Sequence, residues 1–197
     1  MPPIAPVTRA PPVNGTDDAQ ADADPPLSLD IDVVHEGGDW DSVVDGDALV
    51  REAARALAAE LALSSGEICV ALSSDAQVAE LNASYRGKAA PTNVLSFPAI
   101  PMLPVEGEPR FLGDVVLALE TMQREAADLE LPLEHHMQHL VVHGLLHLLG
   151  YDHETDEEAQ AMECLEVRIL ARLGIADPYA AARPIDPPEH ASHRTKS

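Results

Sequence analysis

Three histidines within eleven residues carry the clearest chemical signal in this chain: His143, His147 and His153 in HGLLHLLGYDH (143–153). His143 and His147 are four residues apart. On a helix that spacing puts both imidazoles on one face, about one turn apart, so both can reach one ion. Gly150 follows and can adopt the left-handed conformation that ends a helix and turns the chain back. Such a turn brings His153 to the same ion as a third nitrogen ligand. Three neutral imidazoles leave a fourth tetrahedral position for water, the layout of a catalytic rather than a closed structural zinc site. Zinc would lower the pKa of that water toward neutrality. The expectation is one Zn2+ per chain, although nickel or cobalt would suit three imidazoles nearly as well.

The spacing equals that of zinc proteases bearing HExxHxxGxxH, in which the glutamate after the first histidine is the general base. Here Gly144 stands at that position, so peptide hydrolysis by that route is closed. Asp114 and Asp152 are acidic groups that could move protons or orient an imidazole through its second nitrogen. Each also has a structural reading: Asp114 as a hydrogen-bond partner to a loop, Asp152 as a turn cap. Arg86 lies in an irregular polar segment near Lys88. A guanidinium there can clamp phosphate oxygens or form an ordinary surface ion pair. Thr92, Asn93 and Ser96 could contact a substrate, or bond the loop to the strand. His139 shares the face of His143 and could be a polar group near the site, or belong to the helix surface or to the packing behind the site. His135 and His136 are expected to cap the helix start or face solvent. Glu158, Glu163 and Glu166 are expected on a solvated helix face. Cys69, in ICVAL, reads as a small buried hydrophobe, and Cys164 lies on a helix near the three histidines, where a thiolate could serve as a fourth ligand.

The elements that must position these residues can be read coarsely. LSLDIDV (28–34) alternates like a half-buried strand, and 46–63 has helical spacing and composition. Strand 67–72 and a Ser74-capped helix at 75–84 follow. YRGKAAPTN is irregular, 94–98 is a strand stopped by Pro98, and 99–110 is an exposed hairpin-like loop. Residues 112–119 form an apolar strand. Helices follow at about 120–129, 132–149 and 155–173. The pattern predicts a single α/β domain at 28–180 with a sheet of about four strands. Residues 1–27 read as a disordered acidic, Pro/Ala-rich tail, and 181–197 as a flexible C-terminal tail.

The 197 residues suffice for a sizeable core, and no apolar run is long enough to span a membrane. The start lacks the apolar stretch of a secretory signal, and two cysteines make no disulfide framework. A cytoplasmic protein is expected. The net charge of −22 argues against a general nucleic-acid binder. That charge is uneven: residues 1–50 carry −10, whereas 81–110 carry +1. A polyanion would meet the chain in that second stretch.

HGLLHLLGYDH, LNASYRGKAAPTNVLSFP (81–98) and LGDVV (112–116) together closely resemble the YbeY family of bacterial rRNA-maturation endoribonucleases. The likeness runs from about residue 28 to 180. It implies an α/β domain with a mixed sheet and a metal-bearing C-terminal helix. It implies a single-strand-specific, metal-dependent endoribonuclease in 16S rRNA 3′-end maturation and late-stage 70S ribosome quality control. The partners implied are the single-stranded 16S rRNA precursor and the ribosome or its proteins, with no membrane. The family's metal ligands fall on His143, His147 and His153, its cleavage-linked arginine on Arg86, and the aspartate of its LGD motif on Asp114. The alternatives are a non-catalytic ribosome-assembly factor with a structural metal, and a metal-dependent hydrolase of another phosphate ester.

Overall fold

Alternation in SLDIDVVH produces the first strand, β1 (Ser28–His35), in the computed structural model, which describes residues 28–63, 65–100 and 109–180. The expected tails at 1–27 and 181–197, and most of the expected loop at 99–110, lie outside the described residues. Leu29, Ile31 and Val33 turn toward the main apolar cluster, as the period of two requires. Helix α1 (Gly46–Leu61) opens where the Asp45 side chain accepts from the Ala48 amide, and it leads to β2 (Ser65–Ser73). Helix α2 (Asp75–Arg86) starts with a reciprocal Ser74–Gln77 capping box. It runs two residues further than its apolar pattern indicates and stops at Gly87, which takes φ +69°. Strand β3 (Val94–Pro98), strand β4 (Phe111–Ala118) and helices α3 (Leu119–Asp128), α4 (Leu133–Leu148) and α5 (Asp156–Arg172) complete the order.

The sheet is mixed, with strand order β1-β2-β4-β3. β1, β2 and β4 run parallel, and the edge strand β3 is antiparallel to β4. This is the α/β architecture with four strands that the sequence predicts. One face of the sheet packs on α1 and α4 through a large cluster that includes Ile68, Val70, Val115 and Leu117, and α5 joins that cluster by packing on those two helices. The other face carries a smaller cluster of Ala71, Val78, Leu95, Val116 and Ala118, closed by α2. The two faces alternate residue by residue along β4, and this decides which side chains can meet the histidines of α4.

Gly113 breaks the regular ladder. Glu67 pairs with Phe111 but Ile68 pairs with Gly113, so Leu112 is the extra residue of a bulge. Gly113 sits at φ +136°, and a Cβ there would run into the Phe97 carbonyl, so the LGD segment needs glycine.

Candidate metal centre

Helix α4 is buried along most of its length, with Met137, Val141, Val142, Leu145 and Leu146 in the core. His143 and His147 project from its remaining half-open side. The helix ends as a Schellman motif: the Tyr151 amide donates to the Leu146 carbonyl and the Gly150 amide to the His147 carbonyl. Gly150 takes φ +88°, a conformation that disfavours any residue with a Cβ. The chain reverses there and returns His153 to the two helical histidines. Asp152 holds the turn, its Oδ1 accepting from the His153 amide at 2.8 Å. Thr155 then caps α5 through a capping box with Glu158.

Each of the three histidines offers a ring nitrogen, and these atoms lie within 4.8 Å of one another. Ring centroids are 4.7 Å apart for His143–His147, 5.1 Å for His147–His153 and 5.6 Å for His143–His153. The Nε2 atoms of His143 and His147 are 3.2 Å apart. Two nitrogens each about 2.0–2.1 Å from one ion at a tetrahedral angle are about 3.3 Å apart. The residues therefore fit a shared divalent cation, and among the described residues they are the one such cluster. Burial, then the neighbouring His143 and His153, holds the His147 imidazole below its ordinary pKa. That favours the neutral form a metal requires.

The three rings open into a cavity of about 650 Å³. Val94, Ser96 and Pro98 of β3 form one wall, Asp152 and Glu154 line the turn, and Arg86 stands at the rim with Thr92 and Asn93. Arg86 is the last residue of α2 rather than part of an irregular segment. The arginine ion pairs of the described residues run from Arg124 to Asp75 and from Arg168 and Arg172 to Glu60, leaving Arg86 out. Asn93 and Ser96 are committed to scaffolding. Asn93 donates to Glu125 Oε2 and the Ser96 hydroxyl donates to the Gly144 carbonyl at 3.0 Å. Gly144 itself lies where α4 touches the sheet. A Cβ there would be 2.8 Å from Val115 Cγ1 and 3.1 Å from Ser96 Oγ.

Asp114 is not brought to this cavity, although the sequence marks it as a candidate for the chemistry. It alternates with Val115, so its side chain lies on the α2 face of the sheet while Val115 meets α4. Its partner is Cys69, directly across the β2–β4 ladder. Burial raises the Asp114 carboxyl, opposed by a hydrogen bond with Cys69. Burial and then the charge of Asp114 raise the half-buried Cys69 thiol. Cys164 is exposed and lines a separate depression on α5, away from the histidines. Asp152 Oδ1 is 4.0 Å from His147 Nδ1, too far for a hydrogen bond.

Two polar residues on helices lie elsewhere than the sequence predicts. His136 faces neither solvent nor the helix start: it is buried, with Nε2 3.0 Å from Glu125 Oε2. Glu166 is not on a solvated face. It is 1 % exposed, and His143 Nδ1 lies 2.7 Å from its Oε1. The Tyr179 hydroxyl donates to Oε2, and His139 Nε2 stands 3.5 Å from the same oxygen. Burial pushes the Glu166 carboxyl up, but the hydrogen bonds from His139, His143 and Tyr179 outweigh it and bring the pKa down to about 2. Burial and then Glu166 raise the Tyr179 phenol. The available signal was positional: Met162, Leu165, Glu166, Ile169 and Leu170 form one buried stripe, so Glu166 is a carboxylate at an apolar helix position.

The family model described as Endoribonuclease YbeY matches residues 40–174. A protein of that name from Sinorhizobium medicae is 46% identical over 170 residues, covering 80% of this chain and 99% of that relative. The one from Parvibaculum lavamentivorans is 51% identical over 164 residues, covering 79% and 88%. One from Rhodopseudomonas palustris is 52% identical over 145 residues, covering 72% and 84%.

Proposed function

The chain belongs to the Endoribonuclease YbeY family, and on that footing we propose that it is a single-strand-specific, metal-dependent endoribonuclease acting in 16S rRNA 3′-end maturation and late-stage 70S ribosome quality control. The observation that carries the chemical part is the convergence of His143, His147 and His153 at one end of an open cavity rimmed by an arginine without an ion pair among the described residues. We assign the cytoplasm as its place of action and the ribosome or ribosomal proteins as its partners, on the family's role. No helix of the described residues is long and apolar enough to cross a membrane.

His143, His147 and His153 would hold the ion, with zinc favoured by an all-imidazole donor set. When bound, zinc supplies Lewis acidity for cleaving a phosphodiester. Arg86, at the cavity rim, can bind the scissile phosphate through two parallel N–H···O bonds and neutralise the charge that grows on it. Val94, Ser96 and Pro98 of β3 would flank a bound strand on one side of the cavity. RNA brings its own 2′-hydroxyl nucleophile, so the chain need not supply one. Asp114 falls outside the chemical step in this reading, because the sheet separates it from the cavity. The packing of Gly144 against Val115 and Ser96 leaves no room for the carboxylate that peptide hydrolysis would use.

The test is cleavage of a labelled single-stranded RNA and its matched duplex by zinc-loaded protein, beside His147→Ala and Arg86→Ala. The expected result is cutting of the single strand alone, its loss in His147→Ala, and a fall of roughly 10²–10³ in rate in Arg86→Ala. Cutting that persists in His147→Ala would move the activity to another site or a contaminant and make the metal structural. Terminal 2′,3′-cyclic phosphate on the product would identify the 2′-hydroxyl as the nucleophile.

A further inference from the structure

An imidazole can present its Nε2 lone pair to a cation only while its proton sits on Nδ1, and a partner that accepts from Nδ1 fixes both tautomer and ring orientation. On His143 that partner is Glu166. Oε1 lies 2.7 Å from Nδ1, and the opposite ring nitrogen, Nε2, is the one 3.2 Å from His147 Nε2. A carboxylate buried to this degree is costly unless paired and hydrogen-bonded. No lysine or arginine reaches Glu166 among the described ion pairs; its charged-pair contacts are His139 and His143. Its second oxygen is clamped by Tyr179 and approached by His139. Tyr179 comes from the segment after α5, where its amide donates to Asp177 Oδ1 at 2.8 Å. The charge of Glu166 thus faces the metal centre through one imidazole, held from behind by the C-terminal end of the described chain.

We propose that Glu166 is the positioning residue of the metal centre, holding His143 as the Nδ1–H tautomer with Nε2 toward the ion, and that Tyr179 fixes Glu166 and so couples the segment 177–180 to metal affinity. The proposal rests on the metal reading above and adds a residue that touches neither ion nor substrate. Coupling of this kind is reciprocal: metal bound at one end stabilises the Tyr179–Glu166 contact at the other. A purely structural Glu166, tying α5 to α4, would stabilise the fold equally with or without metal.

The experiment is a zinc competition titration against a chromophoric chelator, on metal-free full-length protein. Thermal unfolding of each metal-free form is followed in parallel. Glu166→Gln keeps the size of the side chain and removes its charge; Tyr179→Phe removes one hydroxyl. Glu163→Gln, half-buried on the same helix, is the control. Zinc affinity is expected to fall roughly 10–100-fold in Glu166→Gln, by less in Tyr179→Phe, and not in Glu163→Gln. Unchanged affinity in Glu166→Gln, with only the metal-free unfolding temperature lowered, overturns the proposal. If Glu166→Gln does not fold, Tyr179→Phe decides: an affinity equal to that of the parent overturns the coupling. A parent protein that binds zinc no better than His147→Ala overturns the metal reading itself, and this proposal with it.

Discussion

Gly144 shows how one residue excludes a reaction by packing as well as by chemistry. The position is where α4 rests on β3 and β4, and any side chain meets Val115, Ser96 and Val94. Gly144→Glu, which recreates the protease pattern on paper, is therefore expected to unfold the helix–sheet contact rather than confer peptide hydrolysis. Overpacking and an unpaired buried charge together predict a loss of about 3 kcal/mol or more. Urea denaturation of the metal-free protein measures it, and a near-native midpoint would show that the contact can yield. Glu166 makes a pH prediction. Its pKa falls from 4.5 to about 2 on folding. A depressed carboxyl contributes stability that is complete above the unfolded value and is lost as pH falls through the folded one. Metal-free protein should accordingly lose up to a few kcal/mol between about pH 4.5 and 2. Glu166→Gln should flatten that acid limb; an unaltered limb would assign acid unfolding to other carboxylates.

At the scale of elements, the site depends on how helices begin and end. The Schellman turn at Gly150 is the hinge of the three-histidine cluster, because it reverses the chain between His147 and His153. Gly150→Ala places a Cβ at φ +88° and is expected to cost about 1 kcal/mol. The backbone shift should also weaken the binding of added zinc, since His153 lies three residues beyond; equal affinity would show that the 150–153 turn adjusts freely. A second end-effect lies away from the site. The Asp75 amide donates to Glu120 Oε2 at 2.7 Å, and the Thr121 amide donates to Asp75 Oδ1 at 2.8 Å. The starts of α2 and α3 thus cap each other. Asp75→Ala should remove about 1–2 kcal/mol of stability and leave zinc affinity unchanged, which separates scaffold damage from site damage.

The whole molecule raises an electrostatic question, since RNA must approach a chain of net charge −22. The lining of the cavity carries one guanidinium, Arg86, against the carboxylates of Asp152 and Glu154. A divalent cation held by the three histidines would therefore decide the sign of the local field. Removal of metal by a chelator should weaken RNA binding itself and not only cleavage; a gel-shift or anisotropy titration checks this. Arg86 and Lys88 are the basic residues of the 81–98 stretch. Binding through about two phosphate contacts predicts a shallow salt dependence, with a log–log slope near −1.4 for a single strand. A much steeper slope would reveal a basic surface elsewhere, and a slope steepened only in the presence of a ribosomal protein would assign it to that partner.

Local features were legible in the amino-acid order alone: the succession of strands and helices, the Ser74 and Gly150 punctuation, and the three-histidine cluster. These follow from periodicity and from residues whose backbone preferences act over a few positions. The motifs of 81–98, 112–116 and 143–153 were also enough to place the chain in its family. Tertiary structure decided which polar residues meet. Glu166 and His136 look like surface groups by type, and only the packing of α5 and α3 against α4 buries them beside partners 23 and 11 residues away. Asp114 looks like a site residue by motif, yet the alternation of β4 and the one-residue bulge at Gly113 send it to the opposite face. Side-chain direction in a sheet is fixed by register with neighbouring strands, and burial of a helical carboxylate by the element that covers it. Both are long-range facts, so they became legible only when the chain was folded.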